Sequence, residues 1–162
     1  MEMACGRSAL KLLSEAYQQN KLVSQAFSAQ IHETGAAAKR MNDVLAQQKY
    51  RIVGLERRIF AAIAGSYEGK GDIVHFEEGL DSTGVRELAD AIAEACGGAA
   101  CVFSGSDESG YAFCLVTRNG DLRALGKEMT KALNGRGGGK PICQQGRVQA
   151  PKAEIEGFFQ NR

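Results

Sequence analysis

Residues 72–117 read DIVHFEEGLDSTGVRELADAIAEACGGAACVFSGSDESGYAFCLVT, and this stretch decides the fold. Its first six residues, 72–77, alternate apolar and polar side chains, which predicts a strand. Ser82 or Asp81 then caps a helix that ends at the Gly-Gly pair 97–98. The apolar positions of this helix share one face: Val85, Leu88, Ala89, Ile92 and Ala95. A strand followed at once by an amphipathic helix indicates a layered α/β or α+β arrangement.

The chain beyond this helix continues with short elements. They follow in the order strand 99–104, strand 111–117, helix from Asp121, glycine-rich loop 134–140 and final helix 151–160. The inward positions of the helix from Asp121 are Leu122, Leu125, Met129 and Leu133. The resulting order, β-α-β-β-α with a closing helix, predicts an α+β domain over residues 71–162. That length suffices for one hydrophobic core.

The segment before a Gly-rich hinge at 65–71 has a helical pattern. Residues 8–64 hold no proline, and their apolar side chains mostly recur every three or four residues. These positions are Ala9, Leu12, Leu13, Ala16, Tyr17, Val23 and Phe27, then Met41, Leu45, Ile52, Leu55, Ile59 and Ile63. Ser28 or Thr34 is expected to cap the second helix. Residues 1–66 are therefore predicted to form a long antiparallel hairpin, an arm whose thin apolar stripe pairs with a second copy.

The composition is that of a folded protein, with 44% hydrophobic and 24% charged residues. No stretch reaches the roughly 18 consecutive apolar residues of a membrane span. No secretory signal is recognisable, so a cytoplasmic protein without a membrane partner is expected. Five cysteines without a Cys-x-x-Cys pair argue against a disulfide framework and a zinc knuckle, and favour buried free thiols.

The net charge is only +1, but basic residues gather in one segment. Between Arg118 and Arg147, seven Lys and Arg residues face two acidic ones. The basic positions are Arg118, Arg123, Lys127, Lys131, Arg136, Lys140 and Arg147. Contacts from a few such side chains to phosphates give a modest, salt-sensitive affinity for nucleic acid. A solvated helix face followed by a mobile loop would show the same charge pattern, so charge alone leaves both interpretations open.

Residues 134–141, NGRGGGKP, are the segment whose sequence most specifically suggests ligand binding. They are not a Walker loop, because Asn134 stands where its first Gly belongs and Pro141 follows Lys140. The last Gly of the dinucleotide pattern would likewise fall on Lys140. Both motifs present phosphate to a helix amino terminus, whereas this loop leaves a helix carboxyl terminus. Phosphate binding would therefore depend on Arg136, Lys140 and the glycine N–H groups; a helix stop with a flexible turn is the alternative.

The run Arg136-Gly-Gly-Gly-Lys-Pro, followed by Gln145-Gly146, resembles the glycine-rich signature of the DHH-associated domain. That domain is the carboxy-terminal domain of alanyl-tRNA synthetases, long alanyl-tRNA editing proteins and DHH phosphoesterases. A basic residue and a proline after the glycines are similar to the alanyl-tRNA branch, whereas phosphoesterases usually carry a His there. The front run Cys5-Gly-Arg-Ser-Ala-Leu resembles the point where long editing proteins pass from the editing domain into the helical arm.

The resemblance implies a non-catalytic tRNA-binding and oligomerisation module. It would hold mischarged tRNA-Ala for an upstream zinc-dependent editing domain and form a homodimer through the arm. In the family, that upstream domain binds zinc through His and Cys residues and hydrolyses the wrongly charged tRNA. This chain has only His32 and His75, with no Cys close to either, so they are expected to be a surface and a structural residue. No catalytic residue, metal ligand or cofactor is expected in this chain itself.

Transferred residue by residue, the resemblance assigns tRNA contacts to Arg136, Gly137, Gly138, Gly139, Lys140 and Gln145. The charge pattern adds Arg147. The glycines would allow close backbone contact, Arg136 and Lys140 would meet phosphates, and Gln145 would bond a ribose or base edge. Ile142 stands where the family often has an acidic or polar residue, so no role is transferred to it.

Three other interpretations stay open. The chain could be the C-terminal domain of an alanyl-tRNA synthetase, a purely dimerising module, or a fragment of a DHH-family phosphoesterase. The phosphoesterase would require Asp-His-His metal ligands, which this sequence does not contain. A sizing experiment separates the dimerising module from the others, because a stable monomer would exclude it.

Overall fold

The computed structural model describes residues 5–160, in which the chain forms five α-helices, a 3₁₀ turn and five strands. The helices are α1 (Gly6–Ala26), α2 (Thr34–Gly65), α3 (Ser82–Cys96), α4 (Arg123–Ala132) and α5 (Lys152–Gln160); the 3₁₀ turn is Ile31–Glu33. The strands are β1 (Gly71–Phe76), β2 (Gly97–Ser106), β3 (Gly110–Thr117), β4 (Arg136–Lys140) and β5 (Cys143–Val148). The predicted α+β class is confirmed.

The five strands form one mixed sheet in the order β1-β2-β3-β5-β4. β1 and β2 run parallel with α3 as the crossover between them, and the other neighbouring pairs are antiparallel. The strand–helix–strand–strand order predicted for residues 72–117 is therefore confirmed. β1 and β4 are the edges of the sheet.

α3 begins and ends as the capping rules predict. The Asp81 carboxylate accepts a hydrogen bond from the N–H of Gly84 at 2.7 Å. Gly97 ends the helix with φ of 74°, a conformation that strains any residue with a side chain. The buried face of α3 consists of Val85, Leu88, Ala89, Ile92, Ala93 and Cys96.

Each face of the sheet has its own hydrophobic cluster. Under α3, the sheet contributes Val102 and Cys114 among others. Under α4 and α5, it contributes Phe103, Phe113 and Leu115. Truncating one such buried side chain to Ala typically costs about 2–5 kcal/mol. Because both faces are covered at the centre, the accessible parts of the sheet are its edges.

Residues 136–140, predicted as part of a glycine-rich loop, form the edge strand β4, so the loop prediction is wrong there. Pairing with β5 gives partners to the backbone N–H and C=O groups on one side of β4, while those on the other side face away from the sheet. The glycines make this pairing possible, because a Cβ on Gly139 would collide with the Cys143 carbonyl oxygen. A Cβ on Gly146 would likewise collide with the Arg136 carbonyl oxygen. Strand β5 was not predicted at all.

The chain divides into two compact units, and the division falls inside α2, after Gly54. Within the second unit, Phe60 and Ala64 are buried in the cluster under α3, so the last turns of α2 belong to its core. The predicted domain limits, 1–66 and 71–162, stay a prediction. The first four and last two residues of the chain lie outside the part that the structure describes.

α1 and α2 form where the helical pattern predicts them, but no packed seam joins them. α1 buries none of its residues. Its exposed large apolar side chains are Leu10, Leu12, Leu13, Tyr17, Leu22 and Val23. α1 therefore has no buried seam with α2, and the antiparallel hairpin stays a prediction. Among residues 5–160, no helix is long and apolar enough to cross a membrane.

The turn between these helices is held by side chains in a way the sequence did not predict. Asn20 Nδ2 donates to the Ile31 carbonyl at 3.1 Å, and Asn20 Oδ1 accepts from the Thr34 hydroxyl at 2.8 Å. The Thr34 hydroxyl thus donates its proton across the turn, and Thr34 is the first residue of α2 itself, not the capping residue before it. Ser28, with φ of 49°, lies in the turn that follows α1 and is not the cap either.

Candidate nucleic-acid interface

The edge strand β4 has a charged residue at each end and three glycines between them. Arg136, Gly138 and Lys140 are every second residue, so these positions lie on one face of the sheet. The register places Arg147 opposite Arg136 and Gln145 opposite Gly138. All five residues are exposed. They are called the basic face below.

The basic face lies on the α3 side of the sheet. Gln145 is opposite Cys114 in the β3–β5 register, and Cys114 packs in the cluster under α3. α3 lies mainly over β2 and β3 and leaves β5 and β4 without a helix on this side. The five positions are therefore open to a large ligand.

The cations of the basic face have no acidic partner in the described part of the chain. Arg136 and Lys140 form neither an ion pair nor a side-chain hydrogen bond there. Arg147 Nη2 donates to the Ser109 carbonyl oxygen at 3.3 Å, and no carboxylate of residues 5–160 forms an ion pair with Arg147. Three positive charges without an ion pair among these residues make this face attractive to anions.

Two other members of the basic segment are neutralised by carboxylates. Arg118 Nε lies 2.9 Å from Glu94 Oε2, and Arg123 Nη2 lies 2.6 Å from Asp121 Oδ2. The hydrogen bonds from Arg123 hold the pKa of the Asp121 carboxyl below its usual value. These two arginines are therefore engaged within the protein, and the positive charge that stays unpaired on the described strands is that of the basic face.

Gly137 and Gly139 lie on the opposite face from Gly138. A Cβ on Gly137 would lie 2.6 Å from the Gln145 carbonyl oxygen and 2.8 Å from Phe113 Cζ. A Cβ on Gly138 would meet no atom within 4 Å. Packing explains why Gly137 and Gly139 lack a side chain. Gly138 has no such neighbour and leaves bare backbone at the centre of the basic face.

Adjacent glutamines on β5 have different environments. Gln144 is buried, and its Nε2 donates to the Lys140 carbonyl oxygen at 2.6 Å. It also packs against Gly126 of α4, where an added Cβ would lie 3.1 Å from Gln144 Cγ. Gln145 is exposed on the basic face. Of the two, Gln145 is therefore the one that can bond a ligand.

A depression of about 250 Å³ joins the basic face to the first turn of α3. Its lining residues are Ser82, Val85, Ala112, Phe113, Gln145 and Gly146. Arg86 follows Ser82 by one helical turn and is exposed. Burial raises the pKa of the Cys114 thiol, and the charge of Arg86 opposes this rise as a minor effect. Arg86 was not predicted as a site residue; its position one helical turn after Ser82 adds a cation next to a lining residue of the depression.

No group of three or more His, Cys, Asp and Glu side chains within residues 5–160 is arranged to hold a metal ion. His32 is exposed, as predicted. His75 is half-buried; its Nδ1 lies 3.0 Å from Tyr67 Oη and its Nε2 lies 3.2 Å from Glu77 Oε2. This arrangement fits the structural role predicted for His75.

The five cysteines are free, as predicted, but they are not all buried. Cys96, Cys101 and Cys114 are buried, Cys143 is half-buried and Cys5 is exposed. Burial raises the pKa of the Cys101 thiol well above its usual value. Buried thiols of this kind behave as small apolar side chains.

Comparison with known proteins gives little further information. No family model matches the chain, and no curated protein matches it. Among solved structures, the chain is similar to the C-Ala domain from Aquifex aeolicus alanyl-tRNA synthetase, at 20% identity and a TM-score of 0.46. The match covers 54% of this chain and 87% of that one. A likeness at this level carries no argument about function.

Proposed function

We propose that this chain is a non-catalytic tRNA-binding module and that its basic face contacts the tRNA backbone. The observation that carries the proposal is the placement of Arg136, Lys140 and Arg147 on one exposed face, where none of them forms an ion pair with the described residues of the chain. Phosphate contacts of this kind supply most of a protein's sequence-independent affinity for nucleic acid.

The bare backbone at Gly138 gives the face a second useful property. Because no side chain stands there, a ribose or a base edge can approach the sheet between the flanking cations. Gln145, directly opposite, can both donate to and accept from a 2′-hydroxyl group. Recognition would then depend on the shape of folded RNA more than on its sequence.

The finer identity is proposed from the sequence resemblance. The run from Arg136 to Pro141 and the pair Gln145-Gly146 support a DHH-associated domain of the alanyl-tRNA branch. The run from Cys5 to Leu10 favours a long editing protein over a synthetase. The module would hold mischarged tRNA-Ala in the cytoplasm for a zinc-dependent editing domain upstream. It would itself contribute neither a catalytic residue nor a cofactor.

Titration of the chain with labelled tRNA-Ala at two salt concentrations tests this function. We expect saturable binding that weakens steeply as salt rises, because bound phosphates release counterions. Unlabelled folded tRNA should compete better than an unstructured RNA of the same length. Absence of binding at low salt by a correctly folded protein would reject the proposal.

A second candidate function is self-association through the helices, supported by the exposed apolar side chains of α1. Such a stripe is normally covered in a coiled coil or helical bundle. Sedimentation equilibrium would show a homodimer at micromolar concentration if the arm is a dimerisation element. A monomer over the whole concentration range would exclude this function.

A further inference from the structure

Two thiols face each other on the same side of the sheet as the basic face. Cys114 lies on β3 and Cys143 on the neighbouring strand β5, and their Sγ atoms are 3.8 Å apart. The register pairs Cys114 with Gln145 and Val116 with Cys143, so the two cysteines are diagonal neighbours on the same side of the sheet. Their sulfur atoms are therefore held together by the strand pairing itself.

The two thiols differ in their access to solvent. Cys114 is 1% exposed, whereas Cys143 is half-buried at the border of the α3 cluster. Burial, and then the neighbouring Cys143, raise the pKa of Cys114 to about 12. Cys114 is thus a protonated thiol that small oxidants do not reach first, and Cys143 is the accessible member of the pair.

We propose that Cys114 and Cys143 are an oxidation site that forms an intrachain disulfide when the protein meets a hydroperoxide. The sulfur of Cys143 attacks a peroxide oxygen, which leaves Cys143 as a sulfenic acid and releases water or an alcohol. The Cys114 sulfur then attacks the Cys143 sulfur; the sulfenic hydroxyl group leaves, takes up the Cys114 proton and departs as water. Two thiols are oxidised and one peroxide is reduced, so atoms and electrons balance.

The sulfur atoms must approach each other by about 1.8 Å to reach a disulfide bond length. Diagonal neighbours on adjacent strands lie near the upper limit of the Cα separation that a disulfide spans, so closure of the bond draws β3 and β5 closer together locally. Cys101, the cysteine that precedes Cys114 in the sequence, is opposite Leu115 and packs in the cluster on the other face of the sheet. The sheet therefore separates it from the pair.

The test uses the full chain with Cys5→Ser, because the exposed thiol of Cys5 would otherwise link two molecules. After treatment with hydrogen peroxide, mass spectrometry should show a loss of two hydrogens. Proteolysis should release one peptide pair joined through Cys114 and Cys143, and a thiol reductant should reverse the change. The second substitution Cys143→Ser should abolish it, whereas Cys101→Ala should leave it intact.

Three results would overturn the proposal. The first is a folded protein that keeps both thiols free after excess peroxide. The second is Cys143 recovered as a sulfinic acid with Cys114 unmodified. The third is a disulfide that joins either cysteine to another residue, or that survives Cys143→Ser. Peptide mapping of the Cys5→Ser protein distinguishes these results even if a core variant does not fold.

Discussion

Gly138 has open space where a side chain would stand, whereas its neighbour Gly137 is tightly packed. Substitutions at the two positions can therefore distinguish an effect on stability from an effect on binding. Gly138→Ala adds a methyl group in open space on the basic face. Gly137→Ala adds one within 3 Å of Phe113 and the Gln145 carbonyl oxygen. Substitution at Gly137 should therefore lower the free energy of unfolding by about 1–3 kcal/mol, as overpacking does.

Gly138→Ala should leave the free energy of unfolding within about 0.5 kcal/mol of wild type. It should nevertheless weaken tRNA binding, because the methyl group occupies the space in which the ligand approaches the backbone. Urea unfolding and RNA titration of both variants measure the two effects. Wild-type affinity in Gly138→Ala would show that the bare backbone is not part of the contact.

At the scale of elements, the start of α5 is tied to the β2–β3 turn by Asp107. The backbone N–H of Lys152 donates to Asp107 Oδ1 at 2.9 Å, and the Tyr111 hydroxyl donates to the same atom at 2.8 Å. These bonds, with the Lys152 bond the larger cause, hold the pKa of Asp107 below its usual value. The folded state therefore binds the proton less readily than the unfolded state.

A carboxyl whose pKa is lowered by folding contributes stability above its unfolded pKa of about 3.9, and this contribution is lost as the pH falls through the folded pKa. Asp107→Asn keeps an oxygen acceptor but cannot titrate. Its Tm should therefore fall less than that of wild type between about pH 5 and pH 3. If Tm falls equally steeply with pH in the two proteins, titration of Asp107 does not contribute to the pH dependence of stability.

The elements that the sequence predicts well are those with local signals. α3 has its cap at Asp81, apolar residues at helical spacing and a closing Gly97, and all of these are visible within one stretch. β4 and β5 have no such signal, because RGGGK and CQQGRV lack apolar alternation. Their pairing depends on a register between separate segments and on missing Cβ atoms at glycines, which no single stretch reveals.

The candidate site is predictable only in part for the same reason. Charge and glycine content single out Arg136, Lys140 and Arg147 in the sequence. They do not reveal that Gly138 shares a face with these cations while Gly137 faces away. The segment was predicted as a loop, and residues of a loop do not alternate between two faces as those of a strand do. The strand register, which only the structure gives, divides the predicted residues between two faces.

At the scale of the whole molecule, the uncovered stripe of α1 predicts the effect of charge on assembly. Leu13→Glu with Tyr17→Glu should keep the chain monomeric, because two carboxylates would have to be buried in the dimer seam. Gln18→Glu with Gln25→Glu adds the same charge on the side of α1 away from Leu13 and Tyr17 and should leave the dimer intact. Sedimentation equilibrium gives the molecular mass of each double variant. Equal masses for the two would contradict the proposal that the arm forms the dimer contact.

The central claim is that the basic face, and not general positive charge, binds tRNA. Its most direct test is the slope of log binding constant against log salt for wild type and two matched variants. Arg136→Ala with Lys140→Ala removes two charges from the basic face, and Lys127→Ala with Lys131→Ala removes two from exposed positions on α4. The first pair should reduce the slope by about 2 and weaken binding at every salt concentration, whereas the second should keep the wild-type slope. Equal slopes for the two variants would contradict the account.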